Sequence, residues 1–370
     1  MDRRKFLGIA GTALVVSGAG GYMLSDKSNF IRSDIGEDDK AGVPFQPHEK
    51  EILYLASLAP SGHNTQPWFV QYIEPYHWII GNDKTRWLPA VDPMQRETIL
   101  SIGAFVQNLE LAANHYGYVC SYNVLARTNQ DEHLLEMRLT KGSHTIFDID
   151  KISNRRTVRS GLLNEPFKKE DVDYLISDDN DFFHFIEGGT KEYNWLNERT
   201  IEANRSQAYR DAAQKELSEW IRFSSKDAKQ HLDGLTTAGM EFEGVPAWVL
   251  RNFYSAKNVM SNKFREQGID KVRKQVSASA GWFIITSKDD SVQSLLETGK
   301  RFQKMFLKVQ DKNIVIHPMT QILEEVQTRM EVNRFTGIKD NIQFMLRTGY
   351  VKDYPAPVSL RRPVNLFVRK

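Results

Sequence analysis

The feature that most constrains this chain is a stretch that occurs twice. Gly103-Ala104-Phe105-Val106-Gln107-Asn108-Leu109-Glu110-Leu111 lies without a gap on Gly299-Lys300-Arg301-Phe302-Gln303-Lys304-Met305-Phe306-Leu307. Gly, Gln and Leu coincide, and Leu109 matches Met305. At the same spacing Gly117 falls on Asn313, two residue types that tolerate the left-handed backbone at a helix end. Val119 then falls on Val315 at the head of the next strand. Any two helix–cap–strand units share some of this pattern; the sharper reading is two copies of one fold unit in a single chain. A length of 370 residues gives room for two modest domains.

The local patterns alternate between helix and strand, which predicts a layered α/β or α+β fold. Pro47–Ala59 places Ile52, Leu55, Ala56 and Ala59 on one helical face. Trp68–Ile73 and Tyr76–Ile80 read as short strands, and Glu97–Tyr116 as a second apolar helix. Tyr118–Leu125 and Leu134–Leu139 follow as strands. Tyr193–Phe223 reads as one long polar helix with a narrow apolar stripe.

Composition narrows the function. Lys and Arg total 49 against 47 Asp and Glu, a net of +2, so the chain lacks the basic excess of a nucleic-acid binder. The single Cys excludes an internal disulfide, and Cys120 in a predicted strand reads as a structural thiol. There is no H-E-x-x-H, C-x-x-C, G-x-S-x-G or Walker loop, so a metal site and the common hydrolytic and nucleotide motifs are not expected. Met1–Lys5 is basic and Phe6–Leu24 carries no charge, the pattern of an export signal or N-terminal anchor in residues 1–24. Its start, Arg3-Arg4-Lys5-Phe6-Leu7, is similar to the twin-arginine signal, which exports already folded proteins. Residues 25–46 read as a polar linker.

Two segments carry the chemistry. Leu58-Ala59-Pro60-Ser61-Gly62-His63-Asn64-Thr65-Gln66-Pro67-Trp68 joins a helix to a strand and is dense in small hydrogen-bonding groups, suited to a polar planar ligand. Ile152-Ser153-Asn154-Arg155-Arg156-Thr157-Val158-Arg159 sets three arginines and a hydroxyl within five residues. Guanidinium forks match phosphate oxygens, so this segment is a phosphate cradle or, more blandly, a solvated basic turn.

Together the two segments resemble the signatures of the FMN-dependent nitroreductase family, Pro-Ser-(Ser/Gly)-x-Asn-x-Gln-Pro-Trp and Arg-(Arg/His)-(Ser/Thr)-x-(Arg/Lys). The likeness extends to Gly103–Leu111 and to Arg361-Arg362-Pro363. The order of the two segments is reversed relative to the ordinary family, as in its fused, twin-half Acg-like subfamily. The resemblance implies an α+β nitroreductase-like fold, internally duplicated as a single-chain pseudo-dimer with antiparallel or mixed sheets flanked by helices. Residues 47–148 would form the first half and residues 149–370 the second, interwoven with it.

It further implies FMN as cofactor. Arg155, Thr157 and Arg159 would hold the phosphate, with Arg156 beside them at the ribityl chain or ring edge. Arg361, or Arg362 if the register slips by one, would add a second phosphate contact. Pro60, Ser61, Gly62, Asn64 and Gln66 would meet the ribityl chain and isoalloxazine. The loop of Pro318, Met319 and Thr320 would lie against the flavin, with the Thr320 N–H facing N5. Tyr122 stands where Pro318 stands in the second copy, so one cofactor site is expected and its pseudo-equivalent should be blank. No catalytic side chain is required, because the flavin performs the chemistry. The implied activity is reduction of a small acceptor, such as a nitroaromatic or quinone, by NAD(P)H or a redox partner. The alternative is a flavin-storing or sensing protein in which Tyr193–Ala247 forms a lid. Twin-arginine export would place a monomeric protein in the periplasm, or at the inner membrane through the N-terminal segment alone.

Overall fold

The structure is a computed structural model that describes residues 25–36, 42–142 and 147–370; the arginine-led segment 1–24 lies outside the described residues. The first unit runs α1 (Glu49–Ser57), β1 (Trp68–Glu74), β2 (His77–Asn82), α2 (Arg96–His115), β3 (Tyr118–Val124) and β4 (His133–Lys141). After the short α3 (Asp150–Asn154), a second unit opens with α4 (Lys169–Ile176) and β5 (Phe183–Glu187). A long insertion follows. It carries α5 (Lys191–Tyr209), α6 (Asp211–Trp220), β6 (Ile221–Arg222), α7 (Ser225–His231), β7 (Leu235–Thr236), α8 (Gly244–Phe253), α9 (Ala256–Val259) and α10 (Asn262–Ser277). The second unit then resumes with β8 (Gly281–Ser287), α11 (Val292–Lys308), β9 (Ile314–Pro318), α12 (Gln321–Glu324), α13 (Val326–Thr336) and β10 (Asn341–Tyr350). A final arm ends in β11 (Val368–Arg369).

The chain is α+β, and its two main sheets have the same strand order. One reads β1-β2-β4-β3 and the other β5-β8-β10-β9, all antiparallel. The one addition is β11, which pairs parallel with β1 and so returns the end of the chain to the first sheet. The caps match too. Gly117 (φ 80°) and Asn313 (φ 50°) are both left-handed. Each accepts, through its carbonyl, an N–H from just beyond the last strand of its unit: Gly142 at 3.0 Å and Val351 at 2.8 Å.

The repeated helices α2 and α11 pack against each other at the repeated glycines. A Cβ on Gly103 would fall 2.2 Å from the Leu296 carbonyl oxygen, and one on Gly299 would fall 2.1 Å from that of Leu100. Leu100 and Leu296 are themselves equivalent in the repeat, so the contact is reciprocal, as across a two-fold axis. Only a residue without a side chain lets the backbones approach this closely. One apolar core runs through the interface, from Trp68, Trp78 and Leu135 to Phe283, Ile316 and Leu346.

The sheets differ in what covers them. Strand β3 alternates between exposed side chains and buried or half-buried ones, as a sheet with one wet face should. Strand β8 is buried at every position, because Trp282 and Ile284 also pack beneath α5 and α10 of the insertion. Two sequence expectations change here. The helix expected over Tyr193–Phe223 is two helices, broken at Arg210 (ψ 102°) and followed at once by Asp211, an acid suited to a helix start. Within the stretch read as linker, residues 25–29 are docked. Asp26 accepts from Ser225 Oγ (2.8 Å), while Arg251 Nη1 donates to Asn29 Oδ1 (2.7 Å) and its Nη2 to the Lys27 carbonyl (3.1 Å).

Candidate functional site

The segment between α1 and β1 folds as a tight polar loop. His63 (φ 47°), Asn64 (φ 55°) and Gln66 (φ 54°) are left-handed without being glycine, a strain of about 1 kcal/mol or more each that surrounding bonds must hold. They do. Ser61 Oγ accepts the Gln66 N–H (2.9 Å), and Asn64 Nδ2 donates to the carbonyls of Gly234 and Leu360 (3.2 Å each).

This loop meets the arginine segment and the C-terminal arm around two adjoining cavities. The smaller, about 60 Å³, is bordered by Asn64, Arg155, Thr157, Arg159, Ser359 and Arg361 among others. The larger, about 340 Å³, shares Pro60, Ser61, His63, Thr157 and Arg159 with it and extends to Gly62, Pro318 and Thr320. Its size is in the range of small-molecule sites. Phe302 and Phe344, stacked at 4.3 Å, line the same space.

The smaller cavity is defined by unspent donors. Arg155 is 4% exposed; its Nη2 donates to the Leu58 carbonyl (3.0 Å), but its Nε and Nη1 have no partner. Its guanidinium lies over the Phe306 ring at 4.7 Å, a contact that orients the charge without neutralising it. Arg361 is 3% exposed, held by Asn64 Oδ1 (2.8 Å) and the carbonyls of Leu58, Ala59 and Leu360, and its Nε is also unpartnered. Neither arginine is ion-paired with a carboxylate among the described residues. Burial pulls the Arg155 pKa down to about 10 and that of Arg361 well below its usual value, each worsened by the other's charge or by Arg32. A buried cation with open N–H groups and no counter-ion is expensive unless an anion fills the space.

Other expected residues fall elsewhere. Arg156 faces away: its Nη2 pairs with Glu241 (3.3 Å), its Nη1 donates to the Ala356 carbonyl (2.7 Å), and it lines neither cavity. Extended backbone sends neighbouring side chains to opposite sides, so Arg155 and Arg159 take the pocket and Arg156 does not. Gln66 is fully buried as a strut, accepting the Arg362 N–H (2.9 Å) and donating to the Leu232 carbonyl (3.0 Å). Met319 is buried in the core under the second sheet and its N–H donates to the Met345 carbonyl (2.8 Å). Of the two arm arginines, Arg361 enters the small cavity, while Arg362 donates to the carbonyls of Gln66 (2.7 Å) and Trp68 (2.9 Å).

Several residues were not singled out from sequence. Arg347 donates through Nη2 to the Arg159 carbonyl (2.8 Å), and Glu241 accepts the Arg159 N–H at 3.0 Å, so the two fix that backbone. His63 and His317 both border the larger cavity. Burial and the Arg159 charge lower the His63 pKa to about 4 and hold His317 well below the ordinary value, so both rings are neutral near pH 7. From the insertion, Asn204, Gln207, Gln214 and Leu217 wall the same space. Cys120 lines neither cavity, and burial pushes its thiol up to about 12.

Fold and site together define a duplicated α+β chain with two adjoining cavities where its halves meet, the smaller one lined by arginines. No family model matches it. It is similar to a probable NAD(P)H nitroreductase, PigM, from a Serratia species, at 23% identity over 321 residues, covering 80% of this chain and 86% of that one. It is equally similar to the putative NAD(P)H nitroreductase acg of Mycobacterium tuberculosis, 23% over 337 residues, covering 85% and 93%. These relatives support the nitroreductase likeness read from the two motifs. Among solved structures, the FMN-dependent nitroreductase NfnB from Mycobacterium smegmatis, in complex with NADPH, matches 55% of this chain and 86% of its own at 12% identity, with a TM-score of 0.35. A nitroreductase-like family protein from Bacillus cereus matches 62% and 98% at 10% identity, with a TM-score of 0.34.

Proposed function

We propose that the chain is an FMN-dependent oxidoreductase that draws electrons from NAD(P)H or a redox partner and passes them to a small acceptor such as a nitroaromatic or quinone. The observation that carries this reading is the pair of buried arginines, Arg155 and Arg361, with unpartnered N–H groups and no carboxylate. They fit a phosphate monoester, and the adjoining cavity offers apolar and small polar walls for a planar ring. When bound there, a flavin would supply the electron transfer. The protein's share is to grip the phosphate through Arg155, Arg159 and Arg361, and to hold Pro60–Gly62 and Pro318–Thr320 as rigid walls. Neutral His63 and His317 keep further positive charge out of the centre of the cavity. The curated relatives bear NAD(P)H nitroreductase names, in keeping with this activity.

One observation favours a second reading, flavin storage. Residues 204–217 wall the larger cavity, and Gly234–Gly239 border the arginine pocket, tied down by the Thr237 hydroxyl, which donates to Asn29 Oδ1, an oxygen that also accepts from Arg251. Anaerobic titration with NADPH separates the two. Rapid bleaching of the bound flavin, with reoxidation by a nitroaromatic or quinone, is expected of the enzyme; a yellow protein that stays oxidised is a store. A colourless preparation that takes up no added FMN would sink both. Export by the twin-arginine route belongs to the same proposal, because that route accepts a chain already folded around its cofactor.

A further inference from the structure

The larger cavity also has a wall of the opposite character. Glu97 of α2 and Glu324 of α12 both line it, together with Asn204, Gln207 and Gln321. Glu324 accepts from Thr320 Oγ1 (2.9 Å) and from Gln207 Nε2, one bond on each oxygen, which leaves acceptor capacity on both. Asn204 Oδ1 and Gln321 Oε1 are buried with no partner. His317 Nδ1, on a ring more than nine-tenths buried that lines the same cavity under the Arg159 charge, is also unpartnered. Buried polar atoms are almost always satisfied, so orphans gathered on one cavity point to a missing ligand. Beside the arginines the open groups are donors; here they are acceptors and carboxylates.

We infer that this acceptor-rich wall belongs to the subsite of the second substrate, and that Glu324, with Glu97, selects a planar molecule carrying a cationic or multiply hydrogen-bond-donating group, such as an amidinium or amine, over an anionic one. The carboxylates cannot donate when ionised, so a carboxylate- or sulfonate-bearing ligand would meet only repulsion there. The charges nearest Glu324 are Glu97 and, behind it, Arg96, which already pairs with Glu97 at 2.8 Å; Arg265 lines the same cavity, and its Nη2 is spent on Asp211 at 2.7 Å. Burial and the Glu97 charge push the Glu324 carboxyl well above its ordinary range, and a cationic group placed against the pair would favour the ionised form. The inference rests on the oxidoreductase reading for what the ligand is used for; its binding chemistry stands on these side chains.

The test is equilibrium binding of two near-isosteric probes, 4-nitrobenzamidine and 4-nitrobenzoate, to the protein as purified, by calorimetric titration, with FMN content measured on the same sample. The wild type should bind the amidine at least tenfold more tightly. Glu324→Gln, which keeps the volume, should bring the ratio most of the way to one, and Glu97→Gln should move it the same way by less. A benzoate that binds as well as the amidine, binding of neither probe, or an unchanged ratio in both variants overturns the subsite. If Glu324→Gln does not fold, Glu97→Gln alone decides. A sample without FMN that keeps the preference sinks the oxidoreductase reading and leaves the subsite standing.

Discussion

Pro318 and Ser101 both border the large cavity; their counterparts in the repeat, Tyr122 and Glu297, are bonded to each other at 2.6 Å. Lys300 completes the contrast. Its ammonium reaches Glu110 (2.9 Å) and the Tyr122 hydroxyl (3.3 Å), where the first copy offers only Ala104. One side of the pseudo-two-fold is therefore a cavity with unsatisfied polar groups, and the other is a closed network with its charges paired. The same backbone plan supports either outcome. What differs is whether the side chains at the helix–strand junction can reach one another. The outer strands repeat this difference, since Val119 is 46% exposed while Val315 is sealed beneath Val158, beside Arg155 and Arg159.

The largest expected effect tests the axis itself. Gly103→Ala and Gly299→Ala each press a methyl onto backbone, and each should cost about 3 kcal/mol or more, measured by urea denaturation. Similar losses from both would support the reciprocity; a loss from only one would break it.

Next comes the cavity side. Arg155→Ala should weaken FMN retention by about one to two orders of magnitude, since charge-assisted contacts are worth ~1.5–3 kcal/mol. FMN-free protein carrying the isosteric Arg155→Met should be no less stable than wild type, because a buried unpaired cation has been removed. An FMN-free variant that is clearly less stable would mean Arg155 is a structural strut.

A smaller effect is expected on the closed side. Tyr122→Phe deletes two hydrogen bonds, one to the partly exposed Glu297 carboxylate and a longer one from Lys300, so a loss of about 1–2 kcal/mol is expected, with FMN stoichiometry still one per chain. A change in FMN content would show that the two sides are not independent.

The smallest signal is a pH limb belonging to the cavity side. The folded pKa of His63 is depressed, to about 4, so its contribution to stability is fully present above the unfolded value near 6.5 and is lost as pH falls towards 4. His63→Gln should flatten stability over that window. Bound FMN should shorten the limb, ending it at a higher pH with a smaller loss, because its phosphate offsets the Arg159 charge that disfavours the protonated ring.

The sequence made the repeat, the caps and the two motif loops legible because each is written in contiguous residues. Arg155, Thr157, Arg159 and Arg361 converge on one small cavity, as the resemblance implied and their composition alone did not. Gln66 and Met319 did not, for a loop motif does not say which of its polar side chains turn inward to brace it. Glu241, Glu324, Asn204 and Arg347 were silent for another reason. Each sits in a polar helix, loop or strand pattern that reads as solvated surface until packing turns that face inward. The break at Arg210 was hidden too, since neither Gly nor Pro marks it and tertiary contacts to Ala90 and Glu325 hold the bend.

The C-terminal arm has a consequence for how the chain reaches its native state. The Arg361 bond to Leu58 spans 303 residues, and β11 closes on β1 across a comparable distance. Contacts of such separation form late, after loop closure over most of the chain. The arginine pocket should therefore be among the last parts to assemble, following both sheets and the α2–α11 pairing. Refolding followed by tryptophan fluorescence should then run ahead of the recovery of anion binding, and a ligand held at Arg361 marks chains that have finished folding.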